Sequence, residues 1–235
     1  MKIEVWSDVV CPFCYIGKRK FELGLEQFAH KDSVEIVWKS FQLNPSIKTD
    51  TTISIYQSLA DQKGWTLEYS RSATKHVTDM AEEVGLHYDF DKTIVANTFN
   101  AHRLIHLAKS KGKQSEAEEL LFKSYFIDGK NIDDDSVLIS LGIEIGIDST
   151  ETVQMLSGHL FEKEVQQDIY EAQQVGVRGV PFFVLDDKYA LSGAQQPEVF
   201  LSALNQVWAE FSERNATTKL EIKEGAACTP DAGCE

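Results

Sequence analysis

The chain has 235 residues, 43% hydrophobic and 26% charged, which suits a globular protein with a full core, as one domain with a large insertion or as two intimate domains. Its formal net charge of -14 argues against nucleic acid and against an anionic membrane surface, since neither is attracted to such a field. No apolar run has the length of a signal segment or a bilayer span, so the chain reads as cytoplasmic, with no membrane partner.

Residues 2–7 predict a strand, with Ile3-Glu4-Val5-Trp6-Ser7 alternating. Cys11-Pro12-Phe13-Cys14 follows and opens a helical pattern (Tyr15, Ile16, Phe21, Leu25, Phe28) over 12–30. At a helix N-terminus, free N–H groups and the positive end of the dipole stabilise a thiolate at Cys11. Cys14 lies one turn on, where it can resolve a mixed disulfide made at Cys11. Pro12 suits a first turn that needs no N–H. Half a metal site or an inert buried pair would use the same spacing, but the strand-to-helix placement favours redox chemistry. In a cytoplasmic chain, four cysteines in two close pairs likewise suggest catalysis or redox sensing rather than stapling.

Val34–Lys39 reads as a second strand, completing a β-α-β unit with parallel strands. The loop Gln42–Pro45 ends it. From 52 to 147 the pattern is helical, with helices at 52–63, 67–84, 91–111, 115–127 and 135–145 and glycines 64, 85, 112 and 129 at the stops. A helix over 150–175 leads back to a strand at 181–185, a turn at Asp186-Asp187 and a hairpin partner at 189–192. A final helix covers 197–214.

The fold class is therefore α/β: a thioredoxin-like fold with a large all-helical insertion. Residues 1–45 and 150–214 form the discontinuous thioredoxin-like domain, 46–149 the helical insertion domain, and 215–235 a polar C-terminal tail that reads as mobile.

Gly176-Val177-Arg178-Gly179-Val180-Pro181 precedes the third strand. Proline at the mouth of a central strand withholds a ladder hydrogen bond. A cis Val180–Pro181 bond facing the dithiol accommodates it, leaving the Val180 backbone free to pair with an extended substrate; a trans proline at a strand edge is the plainer alternative. In the 91–111 helix, His102 either faces the dithiol or is a hydrogen-bonded core histidine, and Arg103 is expected in an ion pair. The other histidines (His30, His76, His87, His159) lack metal-ligand spacing, so no metal is assigned. In the tail, Pro230, Asp231 and Gly233 favour a turn that brings Cys228 and Cys234 together, as a second redox pair exchanging with the first. Incidental thiols, or a zinc clip, are the competing readings.

Together these residues resemble the DsbA-like branch of the thioredoxin superfamily, most closely the FrnE-like cytoplasmic dithiol oxidoreductases. Those are related to the 2-hydroxychromene-2-carboxylate isomerases and the class kappa glutathione transferases. The matching stretches are Ser7–Gly17, Asn97–Leu104, Gly176–Pro181 and Ser192–Gln195, within a resemblance spanning 1–214. The resemblance implies a nucleophilic Cys11, a resolving Cys14 and a cis Pro181, with Pro12, Phe13 and Val180 in supporting or substrate-facing positions. It implies thiol- or disulfide-containing proteins or small thiols as partners, and no organic cofactor is required. One departure stands out. Thioredoxin and DsbA carry a buried acid six residues before the first cysteine, where this chain has Val5. Asp8 is the nearest acid, to serve Cys14 in proton transfer or simply to cap the helix. Two rival functions remain. A glutathione-dependent isomerase or transferase would resemble the kappa-like relatives, which carry serine at the first cysteine position. The other is a non-enzymatic redox-sensing or zinc-binding module using all four thiols.

Overall fold

Strand β1 (Lys2–Ser7) lies inside a four-stranded mixed sheet, between β2 (Glu35–Ser40) and β3 (Phe182–Leu185), with β4 (Tyr189–Ser192) beyond β3 at the edge. The computed structural model describes residues 1–216, 228–229 and 233–234. The expectations for the rest of the tail lie outside the described residues. As expected, β2 (Glu35–Ser40) runs parallel to β1, in a register that sets Ser7 opposite Ser40. β3 (Phe182–Leu185) and β4 (Tyr189–Ser192) continue the sheet antiparallel. Asp186 and Asp187 both take positive φ (53° and 57°) in the two-residue turn, the geometry that matches the twist of paired strands.

Alternation along β1 distributes its side chains between two layers. Ile3 and Val5 join the main core, packed beneath α1 (Pro12–Glu26) and α9 (Pro197–Ala216). Phe21, Phe183 and Phe200 interlock there, with ring centroids 4.8 to 5.4 Å apart. Trp6 belongs to the other layer, with Ala172, Val177 and Val184. Gly24 is where α1 meets α9: a Cβ there would sit 2.7 Å from the Pro197 carbonyl oxygen.

Between β2 and β3 run α2 (Ile55–Lys63), α3 (Leu67–Glu82), α4 (Phe99–Lys109), α5 (Gln114–Phe126), α6 (Asp135–Glu144), α7 (Ser149–Ser157) and α8 (Glu162–Val175). Ser54, Thr66, Asp134 and Asp148 cap four of them through side-chain oxygens. The buried apolar cluster runs without a break from the sheet through α4 and α5 to α7.

Three helix expectations need correction. α1 stops at Glu26, before 30. The helix expected over 91–111 begins only at Phe99, because the preceding segment is extended: Asp50 N–H bonds the Val95 carbonyl, and the Asn97 side chain accepts the Phe99 N–H. The helix expected over 150–175 is two helices, broken where Phe161 takes a φ of 65°. Arg103 seals the break, its guanidinium donating to the backbone carbonyls of Met155, Gly158 and Leu160. That is its role in place of the expected ion pair.

Candidate active site

Cys11 and Cys14 lie where sequence spacing sets them, at the junction of β1 and α1. Cys11 is the residue immediately before the helix, with extended backbone (φ -89°, ψ 109°) and Pro12 at the first helical position. Its N–H bonds the Asp8 carbonyl at 2.9 Å, and its own carbonyl accepts the Cys14 N–H at 3.0 Å. Both thiols are free and buried. The Cys11 thiol donates to the Val180 carbonyl at 3.4 Å. Burial pushes the Cys14 thiol well up from its ordinary pKa and the neighbouring Cys11 sulfur adds to this, whereas the Asp8 backbone and the Ser7 hydroxyl favour its thiolate.

Pro181 is cis, and it packs against α1: a Cβ added at Gly17 would lie 2.9 Å from Pro181 Cγ. The Pro181 carbonyl accepts the Gly193 N–H at 2.8 Å, so the loop before β3 is tied to the end of β4. Phe13 is exposed beside the two cysteines, and Pro12 is half-buried.

A stack of aromatics seats this first turn on the helical block. Tyr15 lies over Phe122 at 4.9 Å, Tyr88 over Phe126 at 4.6 Å, and the Tyr88 hydroxyl donates to the Pro12 carbonyl at 2.8 Å. At the outer edge Lys18 and Arg19 converge on Glu119, with Lys18 Nζ at 2.6 Å. Burial works against that carboxylate's charge, but the Arg19 hydrogen bond and the Lys18 charge outweigh it and hold its pKa down at about 2.

Beneath the dithiol lies a polar layer that the sequence only half discloses. Asp8 does not cap α1. It is 1% exposed, and it accepts the Leu43 N–H at 2.7 Å on one oxygen while facing His102 Nε2 at 3.4 Å with the other. His102 is a buried, hydrogen-bonded histidine. Burial opposes its charge, but the bond to Asp8 and the fields of Asp8, Glu118 and Asp168 prevail and raise its pKa. Glu118, on α5, is equally buried and accepts the Ser7 hydroxyl at 2.7 Å. Sequence reading misses Glu118, because a Glu-rich stretch (Glu116, Glu118, Glu119) looks like a solvated helix face.

Asp8 and Val10 form one wall of a cleft of about 170 Å³, otherwise lined by Leu43, Ile47, α2 and the 95–98 segment. Its lining is mostly apolar, with Asp8 and Lys63 as its acidic and basic members. Among the described residues no three His, Cys, Asp or Glu side chains cluster as metal ligands. No described helix is long and apolar enough to cross a membrane. In the tail, the backbones of Cys228 and Cys234 stand opposite each other in a short antiparallel pair, β5 (Cys228–Thr229) with β6 (Gly233–Cys234).

A strand-to-helix dithiol facing a cis-proline loop, with helices inserted between β2 and β3, defines a class as well as a site. Residues 2–205 match the model of the DSBA-like thioredoxin domain, and the chain belongs to that family. Family membership places it among the thiol–disulfide oxidoreductases. A solved structure described as a probable DsbA oxidoreductase, from Streptomyces coelicolor, is 36% identical, with a TM-score of 0.84 over all of this chain and 98% of its own. The uncharacterized protein YwbO of Bacillus subtilis (strain 168) is 29% identical over 205 residues, 86% of this chain and 95% of that protein. A 2-hydroxychromene-2-carboxylate isomerase shares the fold at 15% identity, with a TM-score of 0.63 over 94% of this chain and all of its own.

Proposed function

We propose that this protein exchanges dithiols and disulfides through Cys11 and Cys14, acting on thiol- or disulfide-containing proteins or small thiols of the cytoplasm. The observation that carries this reading is the placement of two free thiols across the first turn of α1, with Cys11 at the helix N-terminus and Cys14 sealed behind it. Cys11 thiolate attacks one sulfur of a substrate disulfide, forming a mixed disulfide and releasing the other sulfur as thiolate. Cys14 then attacks the Cys11 sulfur, closing the Cys11–Cys14 bond and releasing the second substrate thiolate. Two electrons pass from the dithiol to the substrate, and the reverse sequence oxidises a substrate dithiol. The cis-proline loop forms the opposite lip, with Val180 and Pro181 beside the attacking sulfur, and exposed Phe13 offers apolar surface to a substrate chain.

Cys11 in place of serine is what separates this reading from a glutathione-dependent isomerase. Turnover of a disulfide-bonded peptide by a dithiol donor tests it: the wild type should turn over, and Cys11→Ser should abolish turnover. Equal rates for the two proteins would refute the role of Cys11. We further assign Cys228 and Cys234 to a second, accessory disulfide that exchanges with the first, a pairing that their opposed backbones support.

A further inference from the structure

A dithiol closes into a disulfide only as readily as the chain between its sulfurs is held in the closing geometry. Here that chain is Pro12-Phe13, and the peptide joining them is the middle of the loop. Pro12 has no N–H, and in a first helical turn the Phe13 N–H has no carbonyl a turn earlier to bond, so neither N–H ties this turn to the rest of α1.

We propose that Tyr88 is a positioning residue for the dithiol: its hydroxyl, reaching over from the helical block, holds the Pro12–Phe13 peptide so that Cys14 stays aimed at Cys11. This rests on the dithiol-exchange reading above and adds the residue that sets how readily the disulfide closes.

Three observations converge. The Tyr88 hydroxyl donates to the Pro12 carbonyl at 2.8 Å, and among the described residues no other side chain bonds Pro12 or Phe13. The ring that carries this hydroxyl is clamped: it is 7% exposed, stacked on Phe126 at 4.6 Å and edge-on to Phe90 at 5.8 Å. Its backbone is moored as well, since the next residue, Asp89, donates its N–H to the Phe126 carbonyl at 2.7 Å. The donor is therefore presented by α5 and the segment packed on it, independently of α1. It also stays protonated: burial foremost, with the charge of Cys11 adding to it, pushes the phenol pKa up.

Cys11 is held by other contacts, its N–H on the Asp8 carbonyl and its thiol on the Val180 carbonyl. Attack on the substrate therefore does not depend on Tyr88; closure by Cys14 does. In closure the Cys11–Cys14 bond forms, the Cys11–substrate bond breaks, and the electron pair leaves on the substrate sulfur, which takes up from water the proton that Cys14 gave to it. Tyr88 keeps its own proton throughout. A turn already ordered loses less freedom on closing, so the bond raises the effective concentration of Cys14 at the Cys11 sulfur.

The test uses Tyr88→Phe, which keeps the ring and its stacking and removes only the hydroxyl. Tyr56→Phe is the control: Tyr56 gives its hydroxyl to Asp91 at 3.0 Å, a bond that does not reach the dithiol loop. Equilibration with reduced and oxidised glutathione gives the redox equilibrium constant. Single-turnover mixing with a peptide disulfide, followed by acid quench and mass spectrometry, separates formation of the mixed disulfide from its resolution. We expect Tyr88→Phe to form the mixed disulfide at the wild-type rate and to resolve it about fivefold more slowly. Its Cys11–Cys14 bond should be about fivefold less favoured, which raises the reduction potential by about 20 mV, since tenfold corresponds to about 30 mV. Tyr56→Phe should lose stability to urea and keep the wild-type potential. An unchanged equilibrium constant in Tyr88→Phe overturns the inference whatever its rates, and an equal shift in Tyr56→Phe overturns it too, by making the effect one of general loosening. If Tyr88→Phe does not fold, Tyr88→Met, flexible enough to fill the same space without a hydroxyl, decides by the same equilibrium constant. Absence of any mixed disulfide in the wild type would instead overturn the exchange reading itself.

Discussion

Replacing Glu119 by Gln tests how the helix that bears the dithiol is held to the helical block. Glu119 on α5 receives Arg19 and Lys18 from α1, and the Tyr15 hydroxyl donates to it at 2.6 Å. Its pKa of about 2, against an ordinary 4.5, corresponds to roughly 3 kcal/mol if undiminished. The side chain is one-third exposed (33%), and solvent screening reduces this to about 1–2 kcal/mol. The folded pKa is the lower one, so the contribution is complete above about 4.5 and fades as pH falls towards 2. Gln mimics the protonated carboxyl, with the same shape and no charge. Urea unfolding at pH 7 should show Glu119→Gln less stable by about 1–2 kcal/mol, and the gap should shrink steadily between pH 4.5 and 3. A gap as large at pH 3 as at pH 7 would refute the electrostatic argument and leave packing as its cause.

Gly24→Ala should destabilise the protein by about 1–3 kcal/mol, because the new methyl would meet the Pro197 carbonyl at 2.7 Å; chemical denaturation measures it, and wild-type stability would show that α9 can give way. Arg103→Met should cost about 2–4 kcal/mol, since it leaves carbonyls at the end of α7 without their charged donor, and hydrogen exchange should localise the loosening to 155–161. Replacing Cys228 and Cys234 together by serine should alter the turnover or the redox poise of the Cys11–Cys14 pair. Equal oxidation and reduction rates with equal poise would make the tail thiols incidental.

What the sequence disclosed follows from how local each signal is. The dithiol, its helix and the parallel β1–β2 pair rest on contiguous residues, where spacing and turn chemistry are enough. The two-residue turn at Asp186-Asp187 was equally legible. Errors gather where a distant partner decides. Val95 and Ala96 are apolar and buried, as a helix would have them, but Asp50 draws that segment into an extended bridge. α7 stops at Gly158, and α8 starts after Phe161, whose positive φ no local signal announces; carbonyls freed between them are met by Arg103, more than fifty positions earlier in the chain. Asp8 precedes a helix, so a cap stands beside proton transfer among its sequence readings; its carboxylate turns to Leu43 and His102, which rules out the cap. Glu118 was hidden by its neighbours: Glu119, next in sequence, is a paired surface carboxylate, while Glu118 points inward to Ser7.

The central claim, that Cys11 attacks and Cys14 resolves, is tested most directly by trapping. A peptide disulfide mixed with Cys14→Ser should leave a stable mixed disulfide on Cys11, visible by mass spectrometry and released by an external thiol. Cys11→Ser under the same conditions should carry none. A mixed disulfide that accumulates on Cys14 in the Cys11→Ser protein, with none on Cys11 in the Cys14→Ser protein, would contradict the assignment.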